Sequence, residues 1–359
     1  MFGFNNLFLG LNLLIILSNI IQINSSDTQC PYVPTTPQDR RTDKSKIRLV
    51  QYNVEWMFYD EFSGCPGSSC VWANQSEVIV HMDYVAKIIN DLDPDIVNFC
   101  EIEGCDEIQM MIDRTNTAFN PYLIKGTDSA TGQNVGMMTL IDPYTNLYRT
   151  ETKYSYPVSN SKCGYSGTGS TGVSKHYITK FNFPTNNPNS SLNVAMISAH
   201  LLAMPTDPER CVKREAQAQV LQEQIYNLTN QGYEVILIGD LNDWDNLILD
   251  TNNNVPISQV LDILKGNSGI YSSKYILKSI GDKIPQEQRY SEYWDANGDC
   301  VVQSTEFSMI DHILLTPNLY SIVSNAFSYH AYPHSCDGDT YNSDHDPVVI
   351  DFQLKIDFQ

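Results

Sequence analysis

A chain of 359 residues is long enough for one large α/β domain or two ordinary ones, and a 42% hydrophobic fraction supplies a sizeable core. Its 22 Lys and Arg stand against 42 Asp and Glu, a net charge of −20. Such a surface repels nucleic acid and anionic membranes unless bound cations or a local basic patch intervene, and most of its carboxylates are solvated surface.

The elements follow in chain order. "LFLGLNLLIILSNIIQI" (7–23) is an apolar run after a short polar start, and it gives way to the small polar "NSS" of 24–26. Residues 1–26 therefore read as a secretory signal peptide. The usual Lys or Arg of its n-region is missing, and an uncleaved signal anchor is the alternative. Asn12, Ser18 and Asn19 interrupt the run and weaken it as a membrane span. A polar segment containing Pro and Thr follows (27–45), and ordered structure is expected to begin at "KIRLVQYNVEW". Strand-like runs recur at 46–54, 95–101, 134–141, 176–183, 192–200, 234–240, 309–316 and 347–354. "SEVIVHMDYVAKIINDL" (76–92) predicts an amphipathic helix with Ser76 as its N-cap. A second helix is predicted over 207–232; it opens on Asp-Pro, carries Val212, Ala216, Leu221, Ile225 and Leu228 on one side, and stops at Gly232. Two Gly/Ser/Asn-rich loops stand at 163–175 and 184–191, and no linker or repeat divides the alternation. One α/β domain over 46–359, with helices covering sheets, is the expectation.

Nine cysteines, at 30, 65, 70, 100, 105, 163, 211, 300 and 336, lack the CxxC pairs of a zinc site. Cys65 and Cys70 flank "PGSS" and are placed for a small loop disulfide; the remaining connectivity is open, and an odd total leaves at least one thiol free or paired elsewhere. Sequons at Asn74, Asn189 and Asn227 are compatible with glycosylation. Leader and cysteines together favour secretion or a secretory-pathway lumen.

The strands share a habit: they end in residues able to bind metal or move protons. "RLVQYNVEW" presents Asn53 and Glu55, "DIVNFCE" Glu101, and "SAH" His200. "VILIGDLND" delivers Asp240 and Asn242, "MIDHILL" Asp311, and "SDHDPV" Asp344 and His345. Any one has a dull explanation, since loops are wet. Six together, offering carboxylate, amide and imidazole without thiolate, suit a hard divalent ion such as Mg²⁺ or Mn²⁺.

In their order and spacing these six motifs resemble the endonuclease/exonuclease/phosphatase superfamily, the deoxyribonuclease I-like fold, over about residues 46–355. The resemblance implies a four-layer α/β/β/α sandwich with its site at one rim of the paired sheets. It also implies metal-dependent hydrolysis of a phosphoester. By position, Glu101 matches the metal-binding glutamate, Asn53 the amide beside it, and Glu55 an acid near the metal in some members. Asp240 matches the residue that orients or deprotonates the attacking water, and Asn242 a phosphate ligand. Asp344 matches a further metal-site acid and His345 the histidine beside the scissile phosphate. Asp311 matches the carboxylate that fixes that histidine's tautomer, and His200 a histidine that contacts phosphate or protonates the leaving group. The chemistry needs these types: a carboxylate-held cation neutralises developing charge, and imidazole moves protons near neutral pH.

There are departures. Where many members carry an arginine before the central hairpin, this chain has Lys175 and His176. Lys175 is either a point-charge substitute or a solvated lysine, and His176 is expected to face a neighbouring strand. "DANGDCVVQSTE" (295–306) sets Asp295, Asn297, Asp299 and Glu306 at positions 1, 3, 5 and 12 of a calcium-loop pattern, but with Cys300 where that pattern has Gly. A structural Ca²⁺ or a plain polar loop are both open. The favoured substrate is nucleic acid, cleaved by an extracellular endonuclease. A sphingomyelinase-like phospholipid phosphodiesterase is the alternative, followed by a non-catalytic binding member. No feature points to a stable protein partner.

Overall fold

The computed structural model describes residues 29–68, 70–184, 191–334 and 341–354. The leader at 1–26, the sequon at Asn189 and Cys336 lie outside them. In chain order the first strands are β1 (Gln29–Cys30), β2 (Lys46–Met57), β3 (Ile96–Ile102), β4 (Asn120–Ile124) and β5 (Asn134–Thr139). Then come β6 (Tyr154–Tyr156), β7 (Gly169–Thr171), β8 (Lys175–Pro184), β9 (Ser191–His200), β10 (Glu234–Asp240) and β11 (Lys278–Ser279). The last are β12 (Glu292–Tyr293), β13 (Phe307–Ser308), β14 (Asp311–Leu315), β15 (Val323–Ser328) and β16 (Val348–Gln353). The α-helices are α1 (Gln75–Leu92), α2 (Cys105–Ile112), α3 (Pro208–Asn230), α4 (Val260–Lys265) and α5 (Pro317–Ser321).

A seven-stranded sheet, β1-β4-β5-β3-β2-β16-β15, faces a five-stranded sheet, β11-β14-β10-β9-β8. β10 shows why this packing follows from sequence. Its Ile236 and Ile238 enter the core between the sheets, whereas Val235 and Leu237 pack with Ala216, Leu221 and Ile225 of α3. Both faces of the strand are covered, so the run is continuously apolar rather than alternating. Each such side chain contributes about 1.5–3 kcal/mol by leaving water. α1 and α2 cover the outer face of the larger sheet through Val78, Met82, Val85, Ile108 and Met111. The four-layer α/β/β/α sandwich expected from sequence is the observed architecture.

The expected strands and both long helices are present with ends shifted by a few residues. The N-cap of α1 is Asn74, not Ser76: the Asn74 side chain accepts from the backbone N–H groups of Ser76 and Glu77, and Glu77 accepts from Ala73 N–H. A short polar side chain two residues earlier satisfies more orphan donors than Ser76 does. Asn74 and Asn227 are exposed. Structure also starts earlier than expected. Residues 29–45 pack on the sheet through β1–β4 pairing, a Cys30–Cys105 disulfide and a forked Arg40–Asp142 ion pair at 2.7 Å. All three ties are non-local, so no periodicity announces them.

The Cys65–Cys70 bridge is present, a third joins Cys163 to Cys211, Cys300 is also disulfide-bonded, and Cys100 is free and buried. Among the described residues no helix is long and apolar enough to cross a membrane. The Cys163–Cys211 bridge closes a segment of 48 residues onto α3. Replacing both with Ser is expected to cost on the order of 3–4 kcal/mol, read as a fall in the urea midpoint at unchanged slope; an unmoved midpoint would contradict it.

Candidate active site

β2, β3, β9 and β10 finish, and β14 and the segment before β16 begin, at one rim of the sandwich around a cavity of about 510 Å³. Glu101, Lys175, His200, Asp240, Asn242, Asp344 and His345 line it. The other expected residues stand directly behind. Asn53 Nδ2 donates to Asp240 Oδ2 at 3.0 Å and to Glu101 Oε1 at 3.3 Å. Glu55 Oε2 accepts from the Asp344 backbone N–H at 3.0 Å. Asp311 Oδ2 meets His345 Nδ1 at 2.7 Å. Residues spread over nearly three hundred positions of sequence thus converge on one concavity.

The backbone is bent to achieve this. Register shifts break the β2–β3 pairing between Asn53 and Met57, and the β3–β5 pairing between Cys100 and Ile102. At these bulges, and just past β10, Glu55, Trp56, Glu101 and Asn242 adopt φ of 46°, 49°, 66° and 51°. A left-handed conformation costs a non-glycine residue about 1 kcal/mol or more. Four of them at one rim mark strain held in place by the surrounding sheet. Gly239, at φ 149°, has no such latitude: a Cβ there would lie 1.9 Å from the Ala199 carbonyl oxygen, so only glycine lets β10 lie this close to β9 just before Asp240.

Electrostatics follow from crowding. Burial first, and then the charges of neighbouring acids, push the carboxyls of Glu55 and Asp240 well above their ordinary range; burial, opposed by His345 and helped by Glu101 and Glu292, brings Asp344 up to about 6. Burial alone would lower the His345 imidazolium, but the Asp311, Asp344 and Asp240 carboxylates outweigh it and hold its pKa well above the usual value. His200 goes the other way, well down, through burial and then the adjacent Lys175 and His345 charges. Its Nε2 lies 3.5 Å from Asp240 and 3.5 Å from Lys175 Nζ, while its buried Nδ1 has no partner. Lys175 is not a solvated lysine. It is buried, and its ammonium donates to Gln133 Oε1 at 3.0 Å.

Sequence reading missed three features. A buried chain of hydrogen bonds backs the His345–Asp311 pair: Gln51 Nε2 donates to Asp311 Oδ1 (3.0 Å), Asn98 Nδ2 to Gln51 Oε1 (2.6 Å), and Tyr177 OH to Asn98 Oδ1 (2.6 Å). It crosses from one sheet to the other and back. Second, Arg214 of α3, fully buried, donates to Asp243 at 3.1 Å and to the carbonyls of Leu202, Met204 and Pro205, fastening the segment after His200 to the one after Asp240. Third, Arg210 and Lys213 reach the cavity from the same helix. In a chain this acidic, the basic "ERCVKR" (209–214) at the start of the helix that follows "SAHL" was the signal available for both.

No protein-family model matches the chain and no curated protein matches it. Solved structures do. The endonuclease/exonuclease/phosphatase from Bacteroides vulgatus aligns with a TM-score of 0.52 and 15% identity, over 86% of this chain and 99% of that one. TDP2 of D. rerio, complexed with a single strand DNA product, aligns with a TM-score of 0.50 and 14% identity, over 86% of this chain and 99% of that one. This chain has the endonuclease/exonuclease/phosphatase fold.

Within that fold the donor set fits a hard cation. Glu101 and Asp344 offer oxygens beside Asn53 and Glu55, no thiolate competes, and Glu55, Asp240 and Asp344 repel one another with His345 as the counter-charge they share. Glu55, Glu101 and Asp344 do not all bring ligand atoms within 4.8 Å of one another. Among the described residues two other groups do close to that spacing. One is Glu215 with Cys163 and Cys211, whose sulfurs are already joined. The other is Asp295, Asp299 and Glu306 of the calcium-like loop. There Asp295 accepts from Gly298 and Cys300 N–H, Asn297 from Asp299 N–H, and Cys300 takes the left-handed φ of 57° that the pattern assigns to glycine.

His176 is a core residue: its Nδ1 donates to Val173 O at 2.7 Å, and its Nε2 accepts from Thr150 N–H at 2.9 Å. The Nε2 bond requires neutral imidazole, and burial, helped by the Arg149 charge, lowers its pKa to about 4. A depressed histidine stabilises the fold above its unfolded pKa of about 6.5 and loses that contribution as pH falls toward 4. His176 is therefore expected to withdraw roughly 3 kcal/mol across that window, and His176→Asn to flatten the Tm-against-pH curve there; parallel curves would count against it.

Proposed function

We propose that this protein is a metal-dependent phosphodiesterase that hydrolyses nucleic-acid phosphodiester bonds, acting outside the cell or in the secretory lumen. The observation that carries the reading is the sharing of one cavity by Asp240, Asn242, His200 and the Asp311-paired His345. Asp240, fixed by hydrogen bonds from Asn53 and from the Asn242 backbone, is the group that orients and deprotonates the attacking water. Asp311 holds His345 by Nδ1, which leaves Nε2 to donate a proton to the phosphate or the departing oxygen. Lys175, Arg210 and Lys213 give an otherwise acidic protein local positive charge for the phosphodiester backbone. Mg²⁺ or Mn²⁺ held by Glu101 and Asp344, with Asn53 and Glu55 adjacent, would supply Lewis-acid stabilisation of the pentavalent charge. The disulfides support an oxidising compartment. The single strand DNA product bound to D. rerio TDP2, a protein of the same fold, favours nucleic acid here.

A phospholipid head group is the second reading, favoured by exposed Trp294, Val301 and Val302 on the loop bordering the cavity. The deciding experiment incubates the protein with DNA, RNA and sphingomyelin in Mg²⁺, with and without chelator, beside His345→Ala. Nucleic-acid turnover that chelator abolishes and the substitution lowers about 100-fold or more is the expected result. Chelator-insensitive turnover or an unimpaired variant would refute the mechanism, and lipid turnover alone would move the assignment to the second reading. We assign the Asp295–Glu306 loop a structural Ca²⁺. Ca²⁺ is expected to raise Tm in the native chain and not in Asp295→Asn/Asp299→Asn; equal shifts in both would discard that site.

A further inference from the structure

Beside the catalytic cavity lies a second concavity of about 390 Å³, and the two share Ala203, Asn242, Glu292 and Trp294. Met204 and Pro205 line it from the segment after β9, and Trp294 and Phe307 from the β12–β13 hairpin; Trp244 also lines it. Two of these apolar groups face water: Trp294 is 64% exposed and Met204 56%. Neither hangs on a slack loop. β12 pairs with β13, Trp294 N–H donates to Glu306 O at 3.0 Å, and Tyr293 N–H donates to Asp344 O at 2.9 Å. The backbone that carries the indole is thereby fixed on a frame fastened to the catalytic Asp344–His345 segment. On the other side, Met204 at φ 68° is held by the Arg214 bond to its carbonyl at 2.9 Å. Two pinned apolar walls, one step from the phosphate-handling residues, form a slot built before any ligand arrives.

Its chemistry selects the occupant. The positive side chains, Lys175, Arg210 and Lys213, line the catalytic cavity; the described residues lining the slot include no Lys or Arg but two carboxylates, Glu292 and Glu306. The catalytic cavity holds carboxylates as well, Glu101, Asp128, Asp240, Asp344 and the shared Glu292, but only there does a phosphate meet side-chain cations. Asn254, Thr206, Thr305 and Ser308 interrupt the apolar lining. Ser308 and Asn254 already donate to Glu292 and Asp250, but the hydroxyl and amide oxygens of the four remain acceptors that the edge of a flat heterocycle can use and an acyl chain cannot. The Trp244 indole N–H, buried and without a partner, is a further donor among the lining residues.

We propose that this slot is a nucleobase subsite in which Trp294 stacks on the base adjoining the scissile phosphate, and that it directs the enzyme to single-stranded substrate. The inference rests on the nuclease reading and deepens it. A base can enter only out of its helical stack, which is cheapest in a single strand.

The test separates the slot from the chemistry. Binding of a fluorescent single-stranded oligonucleotide, and of an abasic strand of the same length, is measured by anisotropy in EDTA, where no turnover occurs. Cleavage kinetics are measured separately in Mg²⁺. Trp294→Ala and Trp294→Phe are compared with the native chain, their folding checked by Tm. The base-bearing strand is expected to bind more tightly than the abasic one, and Trp294→Ala to weaken it roughly 10-fold while leaving the abasic strand unmoved. Trp294→Phe restores most of the loss, and KM rises with little change in kcat. Equal affinities for both strands, or equal losses on both in Trp294→Ala, would overturn the subsite. So would a Trp294→Ala defect confined to sphingomyelin vesicles, which would make the indole a lipid contact. Absence of cleavage with base-dependent binding intact would sink the nuclease reading and leave the slot standing.

Discussion

The rim works only if two sheets hold a fixed position relative to each other, and a buried polar chain sets it. His345, Asp311, Gln51, Asn98 and Tyr177 form one run of hydrogen bonds that passes through the interface between the sheets. Apolar packing would tolerate small slips of one sheet over the other, since dispersion and burial are non-directional. Hydrogen bonds at 2.6–3.0 Å in a dry interior do not, because a slipped donor is left unpaired at a cost of about 1–3 kcal/mol. The same chain that locks the register also aims the Asp311 carboxylate at His345. Stability of the sandwich and orientation of the imidazole are thus consequences of one set of bonds.

Around that lock the site is under strain of two kinds. Glu55, Trp56, Glu101 and Asn242 adopt left-handed backbone, and buried Asp240 with half-buried Glu55 and Asp344 crowds negative charge at the rim. Arg214 counters at one edge by gathering four carbonyls and Asp243 around a single guanidinium. The planar fork of arginine is suited to this; lysine, a point charge with three donors, is not. Rigid neighbours therefore maintain a geometry that no local preference would choose.

Much of this was legible in the sequence, for reasons that differ by residue. β10 could be read because "VILI" followed by "GD" combines a twice-covered strand with a break, both local signals. The α3 helix could be read from its Asp-Pro start and its apolar side. Glu101, Asp240, Asp311 and His345 were legible as polar ends of strands and through their order along the chain. Gln51, Asn98 and Tyr177 were not: each sits mid-strand where a buried polar side chain looks like an outward-facing one, and only the pairing of sheets brings them together. The bulges at Glu55 and Glu101 were hidden for the same reason, since register is a property of neighbours. The ties of residues 29–45, an ion pair and a disulfide across long separations, also leave no local trace. Lys175 had two readings from sequence, and burial beside Gln133 and His200 removes the solvated one.

Cys100 sits one residue from Glu101 in the core between the sheets, and five from Cys105, the partner of Cys30. In the unfolded chain the Cys100 and Cys105 thiols lie at nearly equal separations from Cys30, and thiol–disulfide exchange does not distinguish them. A Cys30–Cys100 crosslink would turn β3 away from its place at the centre of the larger sheet and take Glu101 with it. Collapse of that strand into the interior must therefore outrun oxidation, or an isomerase must undo the error, before the cavity can exist.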